Sequence, residues 1–268
     1  MNNLLASLLA ISFYLLSTVL LMLRCREYDK VKHISKTLLL MPALIALLAH
    51  IWILQAEMLS PIGINLGFYS ALSLISAFFV LFTLAATLRY PSELLSMFVM
   101  PFAALAIVLD ATNDSSHMLA PGSSGGLIVH VLSSLVAYSV LGLAALHAIL
   151  LSVQNHYLHG HQPGGIIRLL PPLKTMENLL FETITVGFIL LSISLATGLV
   201  FLENMFAQHL AHKTVLSILA WFLFAILLTG RAALGWRGKT AIRWTLGGFV
   251  SLMLAYFGSK FVLEILLA

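Results

Sequence analysis

Long apolar runs separated by short polar segments make up most of the chain. Each run approaches or exceeds the roughly 20 residues needed to cross the hydrocarbon core of a bilayer. In lipid each run must be helical, because every backbone amide then needs an internal partner. The pattern predicts an all-α, polytopic membrane protein with a single transmembrane domain over residues 1–268. The eight predicted spans are residues 4–23, 38–57, 66–88, 94–110, 127–153, 179–202, 214–230 and 244–267.

The connectors between these runs differ in basic residues. Lys and Arg concentrate in alternate connectors, and only Lys213 and Lys260 of the 14 basic residues fall in the opposite set. The positive-inside rule places the basic set in the cytoplasm. Both termini, and the connectors at 58–65, 111–126 and 203–213, are then expected on the outer, periplasmic side.

Composition supports a lipid environment. The chain is 60% hydrophobic and 9% charged, whereas soluble domains are about a quarter charged. The formal net charge of +4 is spread over loops beside apolar runs, so no nucleic-acid partner is expected. The single Cys25 excludes an internal disulfide and a cysteine metal cluster. The first run has no basic segment ahead of it and is expected to be a retained span.

Histidines gather on the predicted outer side. His50, His117, His130, His209 and His212 come from four separate segments. Neutral imidazole is a common ligand of heme iron and other metals, and ionisable groups inside spans are usually functional. The pattern therefore favours a heme or metal site near the outer surface, with His130 as a ligand.

Each of these histidines also has a simpler interpretation. His130 could anchor its helix at the membrane interface, and His50 fits a buried hydrogen-bonding role better than a ligand. His209 and His212 are expected in a solvated loop, and would share a face only if that loop were helical.

The predicted inner side holds a second group of histidines. His156, His159 and His161 have the spacing of a metal-binding tract, but the adjoining Pro and Gly residues favour a surface loop. No acid–base pair, nucleophile elbow or phosphate loop is present in the sequence. The protein is therefore not expected to be an enzyme.

Several segments carry a family resemblance. The segment LIVHVLSSLVAYSVLG, which contains His130, resembles the helix of cytochrome c assembly proteins that bears an outward-facing heme-ligand histidine. The chain resembles that family of CcsA, ResC and CcmC-type heme-handling proteins, and most of all its YpjD-like branch of eight-span inner-membrane proteins. The other segments that carry the resemblance are residues 65–77, 176–198, 225–231, 235–239 and 255–258.

This resemblance implies a bacterial inner-membrane protein that binds heme in an outer-facing pocket, with His130 as an axial ligand of the heme iron. The chain departs from the family where a tryptophan-rich segment is expected, since the segment at 203–213 contains no Trp. Two further family histidines fall on Thr229 and near Leu267. A second axial ligand would then come from His50, His209 or His212.

Two function classes follow from these observations. The first is a heme-handling protein of cytochrome c assembly. The alternative is a non-catalytic membrane subunit that has lost heme handling and partners another integral membrane protein, such as an ion transporter. A permease is disfavoured by the lack of charged residues in the middle of the spans.

Overall fold

The computed structural model describes residues 3–26, 33–60, 63–90, 93–113, 118–119, 125–159, 170–201 and 211–258. These residues contain eight helices that are long and apolar enough to cross a membrane, which confirms the predicted number of spans. The helices are α1 (Asn3–Cys25), α2 (Lys36–Met58), α3 (Phe68–Arg89), α4 (Glu93–Thr112), α5 (Gly125–His159), α6 (Leu173–Phe201), α7 (Ala211–Leu234) and α8 (Lys239–Met253). A π turn over Leu254–Gly258 continues α8.

Several helix boundaries differ from the prediction, including the start of α6 at Leu173 and the end of α7 at Leu234. Three further differences change the surroundings of residues considered below. Helix α5 continues to His159, so His156 is helical and the predicted loop there is wrong; Gly160 is the first helix-breaking residue in this stretch. Helix α7 begins at Ala211, so His212 lies in a helical turn and not in a loop. Helix α8 begins five residues before the predicted start, directly after Gly238, whose φ of +57° suits glycine. Residues 202–210 and 259–268 lie outside the described residues.

The chain divides into two compact units, Met1–Pro121 and Gly122–Ala268. In the first unit α1 packs against α2 and α4, and α3 packs against α2 and α4. The buried face of α1 repeats every three or four residues, through Ala10, Tyr14, Ser17 and Leu21. Small residues on this stripe let the helices approach closely, which is the usual way of packing helices in lipid.

Polar contacts stabilise each of the two ends of the first unit. At one end Lys36 lies 3.1 Å from Glu93 and donates to the Tyr90 carbonyl. At the other end a small antiparallel sheet, not anticipated from the sequence, has the order β1 (Leu59–Ser60), β2 (Gly63–Asn65), β3 (Met118–Leu119). The β2–β3 pairing joins the two connectors at 58–65 and 111–126, which were predicted to share one side of the membrane.

In the second unit α5 packs chiefly against α6 and also against α8, and α7 packs against α8. Gly187 lets α5 and α6 approach closely, because a Cβ there would lie 2.6 Å from the Leu141 side chain. The turn between α7 and α8 is held by the backbone N–H of Gly238, which donates to Glu177 of α6 at 2.8 Å. Helix α8 therefore starts at a position fixed by α6.

Candidate functional site

His130 lies near the start of α5 with its side chain half-buried. Its Nδ1 atom is 2.8 Å from the backbone carbonyl oxygen of Ser194 on α6. A carbonyl oxygen only accepts hydrogen bonds, so Nδ1 carries the proton and donates it. The Nε2 atom then holds a lone pair, and no hydrogen bond to it is recorded among the described residues. This is the tautomer that metal-ligating histidines adopt, with the second nitrogen fixed by a carbonyl or carboxylate.

Close packing of α5 on α6 fixes the position of His130. Gly126 precedes His130 by one turn on the same helix face, and a Cβ at Gly126 would collide with the ring of Phe201. Phe201 in turn lies two turns beyond Ser194 on α6. The Ser194 carbonyl also accepts from the Thr197 hydroxyl at 2.9 Å. The imidazole is therefore held between two helices in direct contact.

An aromatic cluster lies further along α5. The buried Tyr138 contacts Phe249, Tyr256 and Phe257, with ring centroids 5.4 to 5.9 Å apart. Two of these partners belong to the π turn, a feature frequent at functional sites. Tyr138 is about 12 Å from His130 along the helix at 1.5 Å per residue. The same helix thus carries a half-buried imidazole near its start and a packed aromatic cluster about two turns further on.

His50 has a different environment in the first unit. Its side chain is completely buried. The Nδ1 atom lies 3.3 Å from the Tyr14 hydroxyl and Nε2 lies 2.9 Å from the Ser73 hydroxyl. Both ring nitrogens are engaged, so α1, α2 and α3 are joined through one imidazole. This is the buried hydrogen-bonding role that the sequence favoured for His50.

The polar interior of the first unit continues to α4. Ser70 donates to Asp110 at 3.0 Å, and Ser73 also lies close enough to interact with that carboxyl group. The second oxygen of Asp110 is buried without a hydrogen-bond partner among the described residues. Tyr14, Ser73 and Asp110 were not among the residues predicted from the sequence to form a site. One feature of the sequence does indicate this polar interior. Serines at 70, 73 and 76 are spaced so that their hydroxyl groups share one face of an otherwise apolar helix.

No contact with His130 is observed for the other predicted site residues that the structure describes. His212 is exposed in the first turn of α7, and His209 and His117 lie outside the described residues. His156 is exposed near the end of α5. Thr229, at a family histidine position, is exposed and bonds to carbonyls of its own helix.

A metal site built from protein groups alone is not present in the described part of the chain. No group of three or more His, Cys, Asp or Glu residues there could hold a metal ion. A single imidazole such as that of His130 suits a metal whose other ligands come from a cofactor, as with the iron of a porphyrin.

Comparison with known proteins identifies the family. The model of the Cytochrome C assembly protein family matches residues 38–267. The chain belongs to the cytochrome c assembly protein family. "Inner membrane protein YpjD" of Escherichia coli strain K12 is 32% identical over 226 residues, covering 84% of this chain and 86% of the relative. An "Uncharacterized 28.8 kDa protein in nifR3-like 5'region" of Azospirillum brasilense is 29% identical over 198 residues, covering 72% and 73%.

The family also includes relatives named for cytochrome c biogenesis. "Cytochrome c biogenesis protein CcsA" of Guillardia theta is 25% identical over 185 residues, covering 63% of this chain and 61% of the relative. No solved structure matches the chain with significance. The resemblance seen in the sequence is confirmed, and so is the multi-pass location in the inner membrane.

Proposed function

We propose that this family member binds heme through His130 and handles it as part of cytochrome c assembly. The observation that carries the proposal is the contact between His130 Nδ1 and the Ser194 carbonyl. It fixes the tautomer in which Nε2 is free to coordinate iron. Heme, when bound, supplies an iron with an axial position for an imidazole and a porphyrin that needs an apolar surface. The half-buried rings of Phe249, Tyr256 and Phe257, which pack on Tyr138, would supply part of such a surface.

The four histidines expected to contribute to the site receive different roles. His130 would hold the heme iron through Nε2, and His212, exposed at the start of α7, is a candidate for a second ligand. His209 lies outside the described residues, and it is also a candidate for the second ligand. His50 is the least suited, because both of its nitrogens already have partners. We assign it to holding the first unit together.

The family relationship supports the same role. The CcsA relatives are named for cytochrome c biogenesis, and the segment containing His130 falls within the matched residues. The role is one of binding and presenting heme, and no bond of a substrate is made or broken in it. The segment at 203–213 contains no Trp, so its own histidines, such as His212, would take the place of tryptophan rings at the outer edge of the pocket.

The proposal is tested by purification in mild detergent after heme-replete expression. The wild type is expected to show a Soret band and a pyridine hemochrome signal, and His130→Ala to lose both. His156→Ala is the matched control, since it removes an exposed imidazole from the other end of the same helix. Added imidazole should restore the Soret band of His130→Ala if the cavity left by the side chain admits it.

Two results would contradict heme binding. One is an unchanged Soret band in a folded His130→Ala protein. The other is a folded wild type that contains no heme and takes up none when hemin is added. The second result would favour the alternative class, a membrane subunit of another integral membrane protein. Co-purification in mild detergent would then identify that partner.

A further inference from the structure

An open groove lies between the end of α5 and the start of α8, at the opposite end of α5 from His130. Its volume is about 360 Å³. The residues that line it are Ser152, Asn155, His156, Lys239, Ile242 and Arg243. None of the lining residues is acidic, and five of the six are polar or basic.

The groove carries two cations, Lys239 and Arg243. Lys239 and Arg243 are four residues apart on α8 and therefore share a helix face. Both side chains are exposed, and within the described part of the chain neither has an ion-pair partner. Arg and Lys with neighbouring hydroxyl and amide groups form the donor set that proteins use to bind phosphate groups.

The start of α8 also favours a nearby anion, and one such anion, the Glu177 carboxylate, belongs to the protein itself. Helix α8 begins after Gly238, which provides no side-chain cap for the first turn. The free N–H groups of a helix start and the positive end of its dipole favour an anion. The N–H of Gly238 itself is taken by Glu177, and Glu177 does not line the groove.

Apolar surface continues from the groove along both helices. On α5, Ile149 precedes Ser152 by about one turn, and its side chain is 46% exposed. On α8, Val250 follows Arg243 by two turns and is 48% exposed. Because the end of α5 and the start of α8 meet at the groove, both residues lie toward the interior of the spans. The basic groove thus opens onto a surface that suits acyl chains.

We propose that this groove binds the phosphate of an anionic phospholipid, with the acyl chains lying over Ile149 and Val250. A free phosphate ion would use the cations but not the apolar surface beside them. Basic pockets between membrane helices on the cytoplasmic side are known to bind anionic head groups. The predicted topology places this basic end of the protein in the cytoplasm. The site is separate from the heme site and does not depend on it.

Native mass spectrometry of the purified protein tests the proposal. The protein is titrated with phosphatidylglycerol and with phosphatidylcholine of the same acyl chains. We expect the wild type to bind phosphatidylglycerol more tightly. Lys239→Gln and Arg243→Gln should each weaken this binding about fivefold, and the double variant roughly 25-fold, from about 1 kcal/mol for each basic residue near an anionic head group.

A charge-matched control distinguishes lipid binding at the groove from nonspecific attraction of anionic lipid to a basic protein. Lys174→Gln combined with Arg237→Gln removes two exposed cations that do not line the groove. This control pair should bind phosphatidylglycerol as the wild type does. Equal loss in the two double variants, or no loss in Lys239→Gln/Arg243→Gln, would overturn the proposal. Melting curves of each variant establish that the compared proteins are folded.

Inorganic phosphate and glycerol phosphate distinguish a lipid site from an anion site. Neither has acyl chains, so both are expected to compete weakly with phosphatidylglycerol. Displacement of the lipid by inorganic phosphate at equal concentration would show a free-anion site and would also overturn the lipid assignment.

Discussion

The Nδ1 atom of His130 donates to the backbone carbonyl of Ser194, 2.8 Å away on the neighbouring helix. The acceptor belongs to the main chain, so the orientation of the imidazole does not depend on the identity of the side chain at position 194. The orientation of the imidazole depends instead on the relative positions of α5 and α6. Substitutions of residue 194 and substitutions that separate the two helices should therefore have different effects.

Ser194→Ala should leave heme binding unchanged, because the carbonyl oxygen that accepts from His130 is retained. The relevant measurement is the ratio of Soret absorbance to protein, with His130→Ala measured beside it. A loss of heme in Ser194→Ala comparable to that in His130→Ala would show that the hydroxyl, and not the carbonyl, holds the ligand.

Gly126→Ala should reduce heme content, since the new methyl group would collide with the ring of Phe201 and push the start of α5 away from α6. Overpacking of this kind typically costs about 1–3 kcal/mol. Combining it with Phe201→Ala removes the obstructing ring and should restore the Soret band. If the double variant binds no more heme than Gly126→Ala alone, the collision is not the cause of the loss.

Gly187→Leu should destabilise the second unit. A Cβ at this position already lies 2.6 Å from the Leu141 side chain, and the longer side chain cannot be accommodated without separating α5 from α6. We expect a lower melting temperature in detergent and less folded protein. Leu141→Ala in the same chain should recover part of the stability, whereas Gly125→Ala is a tolerant control, since nothing lies within 4 Å of a Cβ there.

His50→Ala should lower the melting temperature while leaving heme in place. The substitution removes the partner of both Tyr14 and Ser73 in the buried interior of the first unit. Leaving buried polar groups unpaired costs about 1–3 kcal/mol. A double-mutant cycle of His50→Ala with Ser73→Ala should show coupling between the two positions. Loss of the Soret band in a folded His50→Ala protein would instead support His50 as an axial ligand.

Asp110→Asn should be tolerated better than Asp110→Leu. The amide oxygen of Asn can still accept from Ser70, which donates to the carboxyl group in the wild type, whereas Leu leaves that hydroxyl without its partner. Melting temperatures of the two variants in the same detergent measure the difference. Equal stability would indicate that the hydrogen bond makes no net contribution.

The sequence predicted the eight spans because each apolar run has no alternative to a helix in lipid. It also predicted that His130 opens the fifth span. It could not predict Ser194 as the partner of His130, since every residue offers a carbonyl and only packing selects one. The Tyr14–His50–Ser73 chain was missed for the same reason, because its members lie on three different helices.

Helix ends were harder to predict than helix positions. The sequence stretch at 154–159 is polar and was expected as a loop, yet it continues α5, because nothing in it breaks a helix before Gly160. This extension brings His156 beside Lys239 and Arg243. The proposed lipid groove therefore includes residues of a polar stretch that the sequence predicted as a loop and that is helical in the structure.

The length of α5 has a consequence for how the two sites could be studied. At 1.5 Å per residue, His130 and His156 are about 39 Å apart along the helix, close to the full thickness of a bilayer with its head groups. In a bilayer that α5 crosses, the proposed heme site and the proposed lipid groove would face different aqueous compartments. In sealed vesicles of uniform orientation, a membrane-impermeant reagent added outside would reach one of the two histidines and be kept from the other.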